Sequence, residues 1–211
     1  MKTVRLLVVL AGLLVLVLQT AEAATYAKSG YMEQTGTITN AGVSKSQNSK
    51  LYWKDKRWRM ETLVGDRLMI TIGTGDAIYT YSPLEKKAAK SKVNTPSIIE
   101  ILVQQADRMK KVKGAKKTGT ETIRGYKCEV YTLTSPDKKA TGKAWMCVDP
   151  RLPIVLKQSV TAANGYSEVR EIKTIRLNAS VSDDKFTLPK GTKIIEVKAQ
   201  PKAAPKSGSK K

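Results

Sequence analysis

The stretch LYWKDKRWRM, residues 51–60, folds back on itself if Lys54, Asp55, Lys56 and Arg57 form a turn. That turn sets Trp53 against Trp58, Leu51 against Met60 and Tyr52 against Arg59. Side chains alternate along a strand, so the first two pairs share one face and the third lies on the other. Turn and alternation agree on a single register, and a slip of one residue would turn every apolar side chain to the wrong face. The stretch therefore predicts an antiparallel ribbon with one apolar, aromatic face.

The same pattern continues downstream. RLMITIGTGDAIYTYSP, residues 67–83, predicts a second hairpin turning at Gly73, Thr74, Gly75 and Asp76, with Ile72, Ile70 and Leu68 opposite Ala77, Tyr79 and Tyr81. The two hairpins together predict a sheet with one continuous apolar face. Asn94-Thr95-Pro96 then announces a helix, with Thr95 as its cap, Pro96 at its first position and Glu100 in an early turn. Ile98, Ile101, Leu102, Ala106 and Met109 recur at helical spacing, Lys110, Lys111 and Lys113 gather at the far end, and Gly114 stops it.

Strands resume in GTETIRGYKCEVYTLTS (119–135), GKAWMCVDP (142–150) and PIVLKQSVTA (153–162). Asn164-Gly165 reads as a two-residue turn into YSEVREIKTIRLN (166–178). DDKFTLPKGTKIIEV (183–197) closes the domain, giving about ten short strands. Such a sheet can curl around one helix and leave an apolar hollow.

The N-terminus gives the chain its address. Lys2 and Arg5 precede an apolar run from Leu6 to Leu18, and Ala21-Glu22-Ala23 offers small residues where a signal peptidase reads, so residues 1–23 predict a cleaved export signal. The run is shorter than the roughly 20 residues that cross a bilayer core. Residues 24–197 are expected to form the folded domain, and 198–211, rich in Lys, Pro and Ala, a disordered basic tail. Formal net charge is +20. Such charge seeks acidic surfaces, which outside the cytoplasm are anionic lipids or envelope polymers rather than nucleic acid. For the tail, a contact to an anionic membrane and a merely solubilising role both stand.

Histidine is absent, which removes Ser-His-Asp and Cys-His catalysis and nearly every catalytic zinc site. No CxxC pair exists, and no cofactor or enzyme activity is expected. The two cysteines, in CEVYTLTSPDKKATGKAWMC (128–147), fall opposite each other if SPDKKA is the loop of a hairpin, with Val130 opposite Trp145 and Leu133 opposite Gly142. In an oxidising compartment this predicts a Cys128–Cys147 disulfide across two strands.

The order of these segments resembles the LolA-type periplasmic lipoprotein carriers and the related outer-membrane lipoprotein-sorting proteins. The residues carrying the likeness are LYWKDKRWRME (51–61), GDAIYTYSP (75–83) and NTPSIIEIL (94–102), then GTETIRGYKCEVY (119–131), LPIVLKQSV (152–160) and SDDKFTLPKGTKI (182–194). The resemblance implies an incomplete antiparallel β-barrel, mainly β with α, closed by a helical lid over an apolar cavity. It implies a non-enzymatic carrier that holds lipoprotein acyl chains or other lipids and meets partner proteins at the inner and outer membranes. The candidate lipid-binding residues are Leu51, Trp53, Trp58, Met60, Leu68, Ile70, Ile72, Tyr79, Tyr81, Ile98, Ile101, Leu102 and Met109. The alternative is an envelope sensor or basic module docking on a membrane partner or anionic polymer.

Overall fold

Gly30, Trp53, Trp58 and Gly73 lie side by side across four strands of the computed structural model, which describes residues 26–197. The four strands are β1 (Ser29–Asn40), β2 (Val43–Lys54), β3 (Arg57–Val64) and β4 (Arg67–Gly73). The glycines are there because the indoles are: a Cβ on Gly30 would come within 2.3 Å of the Trp53 ring, and one on Gly73 within 2.3 Å of Trp58. Each indole occupies the space beside bare backbone. Trp53 also donates its Nε1–H to the Ala27 carbonyl at 2.9 Å, tying down the entry to β1.

The ribbon at 51–60 has the expected register, with Leu51 paired to Met60, Trp53 to Trp58 and Lys54 to Arg57. Asp55 takes the left-handed conformation the tight turn requires, which aspartate tolerates better than most residues. Upstream, Ala41-Gly42 makes a second tight turn with both residues at positive φ, and β1 pairs with β2 along the full length of both strands. The sheet continues through β5 (Ala77–Ser82) and β6 (Lys87–Lys92), then after the helix through β7 (Lys116–Ile123), β8 (Tyr126–Thr134), β9 (Ala140–Cys147), β10 (Val155–Ala162) and β11 (Ser167–Leu177). β12 (Lys193–Glu196) lies parallel to β6.

The result is one curved, unclosed sheet in the order β12-β6-β5-β4-β3-β2-β1-β11-β10-β9-β8-β7. It holds twelve strands rather than about ten. Closure would need β7 to meet β12, and both remain edges. The expected export signal and basic tail lie outside the described residues. Among the described residues, no helix is long and apolar enough to cross a membrane.

Two turns differ from their reading in the sequence. Gly73 belongs to β4, where it makes room for Trp58, and the β4–β5 connection runs from Thr74, whose N–H donates to the Ala77 carbonyl at 3.0 Å. The register accordingly slips by two, pairing Ile72 with Tyr79 and Ile70 with Tyr81. The β10–β11 connection has three residues, not two: Ala162 donates to the Tyr166 carbonyl, and Gly165, at positive φ, donates back to Ala162. This is a type I turn followed by a left-handed glycine.

The helix α1 (Ile98–Lys110) begins at Ser97, not Thr95. Ser97 Oγ accepts from the Glu100 N–H at 3.3 Å, and Glu100 Oε2 accepts from the Ser97 N–H at 2.9 Å, a reciprocal capping box. Thr95 is buried and instead donates its N–H to Gly75 at 2.9 Å, fastening the helix entry to the β4–β5 turn. Ser97→Ala is expected to lower stability by about 1 kcal/mol in a urea melt; an unchanged midpoint would show the cap to be idle.

The largest departure concerns the faces of the sheet. Gly65-Asp66 turns β3 into β4 with Val64 against Arg67, which sets Met60 against Thr71 and Trp58 against Gly73. Ile70 and Ile72 therefore stand opposite Glu61 and Arg59, on the face away from the tryptophans. The sheet is apolar on both faces, not on one continuous face. One cluster gathers Trp53, Trp58, Leu51 and α1; the other gathers Ile70, Ile72, Tyr81 and Ala88 under Val181 and Phe186. The segment after β11 crosses this second face as a strap. Its short 3-10 turn, Asp183–Phe186, is pinned where Asp183 meets Lys54 at 2.8 Å and Arg57 at 3.1 Å, with the Arg57 guanidinium 5.2 Å from the Phe186 ring centre.

Candidate functional site

Between α1 and the tryptophan-bearing face runs a cleft of about 340 Å³. Its floor comes from β1, β2, β3, β10 and β11, and Ile98, Ile101, Leu102 and Gln105 of α1 form the facing wall. Alternation along each strand makes the floor graded. Stepping by two along β2 from the buried end gives Trp53, Leu51, Ser49 and Gln47, and the partners of the last three on β1 are Met32, Gln34 and Gly36. On β11 the same steps give Ile172, Arg170 and Glu168. Trp53 and Trp58, 1% and 5% exposed, are buried in the cluster beyond the apolar end. Gln47, Gln105, Gln158, Lys157 and Arg170 mark the polar one.

Five of the thirteen expected lipid contacts line this cleft: Leu51, Met60, Ile98, Ile101 and Leu102. Trp53 and Trp58 belong to the same buried cluster without forming the lining. Leu68, Ile70, Ile72, Tyr79 and Tyr81 do not belong to the cleft. They are on the opposite face, Leu68 at 42% exposure and the rest at the strap, for the reason of register given above. Met109 is half-buried beyond the lining. Met32, Ile154, Leu156 and Ile172 line the cleft without having been singled out in the sequence. Met32 could have been found by extending the β2 alternation across the Ala41-Gly42 turn; Ile154, just before β10, and Leu156 and Ile172, within β10 and β11, join by long-range pairing that no local pattern encodes.

The cysteine hairpin has the expected register throughout, with Cys128 opposite Cys147, Val130 opposite Trp145 and Leu133 opposite Gly142. Cys147 donates its N–H away from β8, to the Ile154 carbonyl at 2.8 Å, and Val148 donates to Lys127 at 3.0 Å. The cysteines are thus a non-hydrogen-bonded pair, the kind whose side chains approach more closely. The expected disulfide is not formed: both are buried free thiols. The hydrogen bond with Cys147, together with burial, pushes the Cys128 thiol above its ordinary range. Neither cysteine lines the cleft, although both pack in the cluster that holds Trp53.

Lys157, which pairs with Glu171 and alternates with the cleft-facing Gln158, lies with its ammonium 4.9 Å from the ring centre of Trp145, whose Nε1–H donates to Glu121 at 2.8 Å. Glu171 is bridged by Lys173 at 3.0 Å and Arg124 at 3.2 Å, and the Lys173 contact holds its carboxyl below the usual range. Arg170 pairs with Glu168, whose other oxygen accepts the Tyr166 hydroxyl at 3.0 Å.

Among solved structures, an uncharacterized conserved protein from Thermus thermophilus is 12% identical over 78% of this chain and 90% of its own, with a TM-score of 0.52. The MucA/MucB complex of Pseudomonas aeruginosa gives 12% identity over 84% of this chain and 61% of that one, with a TM-score of 0.44. The lipoprotein LppX of Mycobacterium tuberculosis gives 14% over 72% and 89%, with a TM-score of 0.39. Of these three, the Thermus protein alone exceeds 0.5, and its likeness is one of fold. No curated protein matches the chain. The family model described as a domain of unknown function, DUF4412, matches residues 29–150, more than half of the chain, and the chain belongs to that family.

Proposed function

We propose that the protein is a non-enzymatic periplasmic binder or carrier of acylated ligands, lipoproteins or other lipids, with acyl chains held in the cleft between the sheet and α1. The observation that carries this reading is the cleft's gradient, from Leu51, Met32 and Met60 to Gln47, Gln105 and Gln158, which matches the two ends of an amphiphile. Its volume lies at the low end of the roughly 300–1,000 Å³ of small-molecule sites. Methionine and leucine walls adapt to flexible chains better than rigid ones do. In this reading α1 is the lid, and hand-over partners at the inner and outer membranes take and receive the cargo. Native mass spectrometry of protein purified from the envelope is expected to show bound lipid, and the stripped protein is expected to take up a fluorescent fatty acid. An empty protein that also ignores the probe would end the reading.

A second reading, a sensor or basic interaction module, is favoured by the net charge of +20. It is separated by retention on anionic polymer in protein whose cleft is blocked.

The same export reading carries a redox expectation. Mild oxidant should join Cys128 to Cys147 without rearrangement, because the strands already hold the pair in register. Non-reducing mass analysis should show a loss of two hydrogens, with stability raised by roughly 3 kcal/mol for a loop of this size. Two thiols that survive oxidation in the folded protein would contradict it.

A further inference from the structure

Arg170 sits on the cleft floor where the lining changes from apolar to polar. Three features of its setting point toward a ligand. First, Glu168 is carried two residues away on the same strand, so both side chains share the cleft face. The Glu168 side chain is 9% exposed, whereas that of Arg170 is 36% exposed. The carboxylate is thus the buried support and the guanidinium the presented group. Second, the contact uses Arg170 Nε, and among the described residues no other carboxylate pairs with it. A guanidinium carries five N–H donors in a planar fork, more than one carboxylate can occupy. Third, the backbone beside it is cleared. Gly36 of β1 pairs with Arg170, and a Cβ there would stand 3.1 Å from Arg170 Cγ and 2.7 Å from the Val169 carbonyl. The glycine lets the side chain lie across the sheet toward the cleft instead of being lifted off it.

The other cations around this point are engaged elsewhere. Lys157, Lys173 and Arg124 gather instead about Glu171, which alternates with Arg170 along β11 and so belongs to the opposite face. Lys173 and Arg124 share Glu171 and Lys157 stands opposite it in register, so on the cleft face Glu168 is the one carboxylate that pairs with Arg170 among the described residues. A cleft that is apolar at one end and presents a guanidinium at the other selects among amphiphiles by head group.

We propose that Arg170 reads the head of the bound ligand and that the head is an oxyanion, a carboxylate or a phosphate. A planar guanidinium matches either oxyanion with two parallel hydrogen bonds, which a neutral hydroxyl head cannot satisfy. Glu168 is a positioning residue: it pairs with the guanidinium at Nε and does not touch the ligand. This inference rests on the acyl-binding reading of the cleft.

The test displaces a fluorescent fatty-acid probe from the stripped protein with hexadecanoate, hexadecyl phosphate or hexadecanol, three ligands that share a chain and differ in the head. The anionic pair should compete at about tenfold lower concentration than the alcohol or better, a factor corresponding to about 1.4 kcal/mol. Whichever of the two is tighter identifies the source of the oxyanion. In the double variant E168Q/R170Q, which exchanges the ion pair for a neutral pair of similar size, the preference should collapse while hexadecanol binding persists. Arg170→Lys keeps the charge beside Glu168 and loses the fork; it should reduce the preference several-fold with an unchanged melting curve. Equal competition by all three ligands in the unaltered protein, or a full preference surviving in folded E168Q/R170Q, would overturn the assignment of Arg170. If no ligand and no probe binds at all, the acyl-binding reading itself fails, a distinct result.

Discussion

Trp53→Ala is expected to remove about 3–5 kcal/mol of folding stability. That is a large share of the roughly 5–15 kcal/mol available to a typical domain. The residue is 1% exposed, so its loss opens a cavity in the cluster that joins β1, β2 and α1. Two further costs add to the cavity. The Ala27 carbonyl loses the indole N–H it accepts in a buried setting, and Gly30 loses the ring that covers its backbone. Tyr52→Ala serves as the control, since Tyr52 is half-buried on the other face and costs less to truncate. Urea melts read both. A loss for Trp53→Ala no greater than for the control would show that the row of tryptophans and glycines does not organise the sheet.

Leu102→Asp is expected to weaken binding of a fluorescent fatty acid by about tenfold or more while leaving the protein folded. Leu102 is half-buried on the α1 wall of the cleft, so a carboxylate there stays hydrated when the cleft is empty. An acyl chain entering would strip water from that charge, a cost of at least the roughly 1.4 kcal/mol that a tenfold loss requires. Leu84→Asp places the same charge at a leucine that is 94% exposed and not part of the lining, and should change nothing. Equal affinities for the two variants would remove α1 from the binding site.

The contrast between the two hairpins shows how far the residues could be read. At 51–60 the turn and both arms agree, and the register follows from ten residues. At 67–83 the glycines pulled the turn one step too early, because Gly73 looks like a turn residue and is in fact a strand residue cleared for Trp58, fifteen positions upstream. The two-residue slip kept the correct side chains on a common face, since alternation has period two. What was lost was the relation between hairpins. Gly65-Asp66 carries that relation, and counting outward from it places Thr71, not Ile70 or Ile72, beside Met60. The cysteine hairpin was legible for the same reason as the first, a turn flanked by agreeing arms. The covalent state of its thiols is not set by register. The cleft floor was legible as far as β2 and β3, and not beyond, because β1 meets β11 across more than a hundred residues of chain. The strap is a similar case: DDKFTLP offers an exposed acid and a buried ring, but only the folded sheet brings Lys54 and Arg57 to Asp183.

Everything proposed for the cleft depends on an acyl chain lying between α1 and the tryptophan-bearing face. Photocrosslinking with a fatty acid carrying a diazirine at its methyl end, followed by peptide mapping, reads that placement without an intermediate step. Label is expected on the peptides of Met32, Met60, Leu102 and Ile172, and should be competed away by unlabelled fatty acid. Label concentrated instead on the opposite face, at Ile70, Tyr81 and Phe186 beneath the strap, or label that no competitor removes, would place the chain elsewhere and refute the cleft as its site.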